Sequence, residues 1–119
     1  MILCAVDDLM FSVKISSTAK ALGVETTFER SAANLLSRIR EQQPSLVIFD
    51  LNSAKLRPLD TIAAMKADPS LARITTLGYV SHVDTETIAR ARAAGIDQVM
   101  ARSTFTERLA EILGERGKI

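Results

Sequence analysis

Apolar and polar positions along the chain follow two alternating regimes. Short apolar runs occur at Ile2–Val6, Val24–Phe28, Leu46–Phe49, Ile74–Val80 and Gln98–Ala101, each about the length of a β-strand. Between them, apolar residues recur three or four positions apart, the spacing of one helical face. Phe11, Ile15 and Leu22 stripe the first such segment, and Leu35, Leu36 and Ile39 the second. Ile62 and Met65 mark the third, Ile88 and Ala91 the fourth, and Leu109, Ile112 and Leu113 the last. The punctuation agrees. Gly23 and Gly95 follow helical segments where a left-handed residue ends a helix without strain. Ser31, Asp84 and Thr104 stand where N-caps are needed, and Thr104-Phe105-Thr106-Glu107 has capping-box spacing. Pro44 follows the second helix and Pro58 opens the third, places that tolerate a residue without an N–H.

The pattern predicts a β-strand and an α-helix repeated five times, (βα)5, in one α/β domain over residues 1–119. Strands alternating with helices argue for a parallel sheet covered on both faces. The most economical arrangement is a doubly wound, flavodoxin-like sheet of five strands in the order 2-1-3-4-5. On that topology the first and third strands are neighbours whose connections diverge, and ligands bind in the crevice at their carboxyl ends.

Composition narrows the class. The chain has 119 residues, enough for a single core, with 47% apolar and 24% charged residues, as in an ordinary soluble domain. A net charge of +1 makes no case for nucleic acid or an anionic membrane as partner. No apolar run approaches the length of a membrane span, and no signal peptide is visible. The single cysteine, Cys4, lies in a strand predicted to be buried and reads as a small hydrophobe. These features together point to a cytoplasmic protein.

The candidate chemistry is acidic. The first strand ends in Asp7-Asp8, and the apolar run Leu46–Phe49 ends on Asp50. A carboxylate at a strand end can simply close a turn or cap the next helix. Here the predicted topology brings two such ends together. Like charges at close range repel by roughly 1–4 kcal/mol per pair. A hard divalent cation such as Mg²⁺, which takes oxygen ligands, offsets that cost. Other chemistry lacks support. There is no second His or Cys at zinc-ligand spacing, no G-x-S-x-G and no glycine-rich phosphate loop. His82 reads as a loop histidine near the pocket rim.

Val6-Asp7-Asp8, Ile48-Phe49-Asp50 and the βα order resemble the CheY-like receiver domain of two-component response regulators, over essentially the whole chain. The resemblance implies that Asp50 accepts a phosphoryl group from a histidine kinase or phosphotransfer protein in a phosphorelay. It implies that Asp7, Asp8, Asp50 and the backbone carbonyl of Asn52 hold Mg²⁺. It also implies signalling by docking through the fourth and fifth helices, with no enzymatic activity beyond self-phosphorylation and dephosphorylation. Such chemistry is coherent: the carboxylate attacks phosphorus in line while a metal neutralises charge on the transferring oxygens.

The readout positions depart from the family pattern. The hydroxyl expected to end the fourth strand falls at Val80 by counting from Asp50, with Ser81 adjacent. A one-residue shift would be needed for Ser81 to serve, and such a shift exchanges sheet faces. Arg102 stands for the usual Lys, a planar fork in place of a point charge, and Ser103 stands for the usual Pro. Val99 replaces an aromatic residue, and the loop after Asp50 brings Lys55 and Arg57 near the acidic pocket. Two readings follow: an atypical receiver phosphorylated on Asp50 with Ser81 and Arg102 as a modified switch, or a pseudo-receiver acting as a fixed interaction module. A flavodoxin-like small-ligand binder is a third, and it requires a roomy pocket at the switch point.

Overall fold

The computed structural model describes residues 1–81 and 83–117. Five parallel strands, β1 (Ile2–Ala5), β2 (Thr26–Phe28), β3 (Leu46–Asp50), β4 (Thr75–Val80) and β5 (Gln98–Ala101), form one sheet in the order β2-β1-β3-β4-β5. Between and after them run α1 (Leu9–Leu22), α2 (Ala32–Gln42), α3 (Pro58–Ala67), α4 (Thr85–Ala94), α5 (Arg102–Glu107) and α6 (Leu109–Glu115). The doubly wound order expected from the alternating pattern is therefore the observed one.

Both faces of the sheet are covered, as its near-continuous apolar strands require. Strand alternation sorts the core into two layers. Ile2, Cys4, Val6, Leu46, Ile48, Leu77 and Tyr79 face the layer shared with α1, α5 and α6. Leu3, Ala5, Val47, Phe49 and Val80 face the layer shared with α2, α3 and α4. Gly78 in β4 lets Leu51, the residue after β3, lie flat on the sheet: a Cβ at Gly78 would stand 2.6 Å from the Leu51 side chain. No helix among the described residues is long and apolar enough to cross a membrane.

Local punctuation held at most ends. Gly23 (φ 70°) and Gly95 (φ 102°) are left-handed C-caps, Pro58 opens α3, and the Asp84 side chain caps α4 by accepting from the Thr87 amide. Ser31 stands at the N-cap of α2 but makes no side-chain cap hydrogen bond, and the expectations for the last helix failed. Thr104 does not cap the last helix, and the capping box does not form. Instead α5 starts at Arg102, directly after β5, on Ala101, which has no capping side chain. That earlier start places Phe105 on the sheet, stacked on Tyr79 with centroids 4.8 Å apart and fully buried. Burying a Phe contributes roughly 1.5–3 kcal/mol, more than the ~1 kcal/mol of a cap. The expected last helix is also divided at Arg108 into α5 and α6.

Candidate functional site

The pairing of Ala5 with Phe49 sets the carboxyl ends of β1 and β3 side by side. β1 ends at Ala5, two residues before the expected Asp7, so Asp7 and Asp8 lie in the turn from β1 into α1, and Asp50 is the last residue of β3. The three acids expected to share one end of the sheet do so closely enough to feel one another. Burial is the main force raising the pKa of Asp50, and the charges of Asp8 and Asp7 add to it. The Asn52 amide, donating to Asp50 Oδ1 at 3.0 Å, and the positive charge of Arg102 act in the opposite direction.

Each member of the acidic pair already has a partner. Asp8 accepts from the Phe11 amide at 3.1 Å as the N-cap of α1, and its other oxygen takes the Arg102 guanidinium at 3.1 Å. Those bonds, the Phe11 amide foremost, hold its carboxyl below the usual carboxylate range. Asp7 Oδ1 lies 3.6 Å from the Lys55 ammonium. Accordingly, no group of three His, Cys, Asp or Glu side chains among the described residues is arranged to hold a metal ion. The donor chemistry nevertheless fits a hard cation. The Asp50 carboxylate lies against the Asn52 backbone, whose N–H it accepts at 3.0 Å, and the Lys55 ammonium stands as a counter-ion to Asp7.

Arg102, the first residue of α5, rests its guanidinium 4.5 Å above the Phe11 ring while pairing with Asp8. Its position near the site follows from the early start of α5. Arg57 goes elsewhere: it pairs with Asp60 in its own helix at 2.9 Å, so Lys55 alone of the two loop cations reaches the acids. Val80 is buried in the layer below the opposite face, whereas Tyr79 pairs in register with Asp50 and shares its face. Val80 therefore faces away from Asp50, and Ser81 lies just past the end of β4. The Ser81 amide is fixed there by donating to Asn52 Oδ1 at 2.9 Å. His82 lies outside the described residues.

Two side-chain roles were not foreseen. The Asn52 side chain ties the loop after β3 to the start of α4: while Oδ1 accepts from Ser81, Nδ2 donates to Asp84 Oδ2 at 2.6 Å. Nothing in the local sequence distinguishes this Asn from any turn residue. Tyr79 stacks within a cluster of Phe11 and Phe105, and its hydroxyl is buried without a hydrogen-bond partner among the described residues. Burial, with Asp50 next, pushes its phenol pKa up. Cys4 is fully buried and its thiol is pushed up to about 12 by burial, consistent with a packing role. The nearest cavity, about 450 Å³, lies between the loop after β3 and the start of α4, lined by Asn52, Arg57, Asp84 and Thr87 among others. It does not include Asp7, Asp8 or Asp50.

No family model matches this sequence, and no curated protein matches it. Solved structures do. A response regulator from Hahella chejuensis superposes with a TM-score of 0.84 at 16% identity, covering 96% of this chain and 92% of that one. The phosphorylated cyanobacterial phytochrome response regulator RcpA gives 0.80 at 19% identity, covering 95% and 87%. The Mn²⁺-bound form of response regulator Rcp1 gives 0.79 at 16% identity, covering 93% and 89%. At these identities the likeness establishes the fold: this chain has the fold of response-regulator receiver domains.

Proposed function

We propose that this chain is a receiver domain of two-component signalling that accepts a phosphoryl group on Asp50. The observation that carries the reading is the company Asp50 keeps. It is a half-buried carboxylate at the end of β3, with Asp7 and Asp8 beside it and the charge of Arg102 within reach. A carboxylate oxygen of Asp50 attacks phosphorus in line, an O–P bond forms, and the P–N bond of a donor phosphohistidine breaks. The imidazole leaves with the electron pair and takes up a proton. Arg102 and the Ser81 hydroxyl serve the transferred oxygens as cationic and neutral donors. Asp7, Asp8 and the Asn52 carbonyl hold Mg²⁺, which supplies charge neutralisation at those oxygens when bound.

The chain acts on itself and on no other substrate. Its partners are a histidine kinase or phosphotransfer protein upstream and a protein downstream that docks on α4 and α5, in the cytoplasm. The fold neighbours support this direction, since one is phosphorylated and one carries Mn²⁺.

A small phosphodonor with Mg²⁺, followed by intact-mass measurement, tests the reading. The expected result is a gain of one phosphoryl group that disappears in Asp50→Ala. An unchanged mass favours the second reading, a phosphorylation-independent interaction module. The pairing of Asp7 with Lys55 and Asp8 with Arg102 favours that alternative, because the pocket is charge-balanced by the chain itself. The small-ligand reading has less support, because the cavity at this end lies beside the carboxylates and not over them.

A further inference from the structure

Three features single out Lys55. Its ammonium stands 3.6 Å from Asp7 Oδ1, on the member of the acid pair that Arg102 does not hold. Its neighbour Leu56 is fully buried and its amide donates to Ser53 Oγ at 3.3 Å, so the loop is anchored in a way that keeps Lys55 beside the acids. Finally, the Lys55 side chain is 68% exposed, free to swing into water when displaced. Arg102 differs, being held by both Asp8 and the Phe11 ring.

We propose that Lys55 is a built-in competitor for the divalent cation: its ammonium neutralises Asp7 until a metal ion displaces it. The inference rests on the reading of Asp7 and Asp8 as cation ligands, and it adds a regulatory element to that site. In the metal-free state the ion pair relieves the repulsion within the acidic pair. Metal binding must break that pair, so affinity is set below what the carboxylates alone would give.

The test is Mn²⁺ binding, read from the free-ion paramagnetic signal at low ionic strength, on the full chain. Lys55→Gln should bind Mn²⁺ about two- to fivefold more tightly than the wild type, the range set by one exposed ion pair. Lys55→Arg should stay near the wild type, and the gain in Lys55→Gln should shrink as salt is raised. Lys20→Gln, in the last turn of α1 and so at the far end from Asp8, controls for net charge. Equal or weaker binding by Lys55→Gln overturns the proposal and leaves the phosphoryl-acceptor reading standing. A gain of the same size in Lys20→Gln also overturns it. Absence of Mn²⁺ binding in every variant at millimolar concentration removes the cation reading of Asp7 and Asp8 together with it.

Discussion

Asp50 is held under opposing influences, and the sign of the balance makes a prediction. Its pKa is raised above 3.8, chiefly by burial, so the folded chain takes up a proton over an interval where the unfolded chain does not. Stability linked to this group is therefore full below about pH 3.8 and falls as pH rises through the higher folded value. At neutral pH the ionised carboxylate is a cost to the fold. Asp50→Asn removes that charge and keeps an oxygen for the Asn52 amide. We expect its Tm at pH 7 to exceed that of the wild type, with the difference closing in acid. Calorimetry at the two pH values checks this, and an equal or lower Tm at pH 7 would contradict it. A group that destabilises its own fold at working pH is one for which a chemical role is a reasonable explanation. Beside the same carboxylate, Tyr79 carries a buried hydroxyl with no hydrogen-bond partner among the described residues.

The elements meet at hinges made of a few bonds. The start of α4 is the clearest, because Asp84 caps the Thr87 amide with one oxygen and takes Asn52 Nδ2 with the other. Asn52 in turn donates its backbone N–H to Asp50. A continuous path of hydrogen bonds thus runs from the candidate acceptor to the first turn of a helix on the proposed docking face. Removing its middle member should loosen the helix end and little else. Asn52→Ala is expected to speed amide exchange in the first turn of α4 by about 3–10-fold, as the loss of one or two exposed bonds predicts. Exchange at the far end of α4, where Gly95 caps by donating to Ala91 and Arg92, should not change. Uniform acceleration along α4 would show that Asn52 supports the helix as a whole and not its first turn. The failed capping box at Thr104 carries the complementary lesson. A local signal worth about 1 kcal/mol gives way when tertiary burial of Phe105 requires another start.

For the molecule as a whole, one apolar layer links the site to the fold. Phe11 of α1, Tyr79 of β4 and Phe105 of α5 pack ring against ring, with Arg102 over the Phe11 face. Phe105 is fully buried, so Phe105→Ala should cost about 3–5 kcal/mol out of the ~5–15 kcal/mol that holds a domain together. Urea unfolding followed by circular dichroism should show a single transition moved to much lower denaturant. A midpoint within the error of the wild type would mean that the aromatic stack contributes little. The consequence for the site is direct: the same substitution removes the support under Phe11, on which Arg102 rests.

Which segments are strands, which are helices, and the class of sheet they build were all readable from residue order. Periodicity and punctuation are local properties, visible within a dozen positions at Val47-Ile48-Phe49 or at Gly95. The acidic residues could be read too, since Asp7, Asp8 and Asp50 each end an apolar run. Lys55 and Arg102 were expected near them, but which acid each one meets was not readable. Arg102 reaches Asp8 across 94 positions, and Asn52 reaches Asp84 across 32. No local pattern encodes such distances. That Val80 faces away from the acceptor likewise waited on the pairing of β3 with β4, because one residue of register exchanges the two faces of a strand. Residue order specified which groups carry charge, and folding specified which opposite charge each one meets.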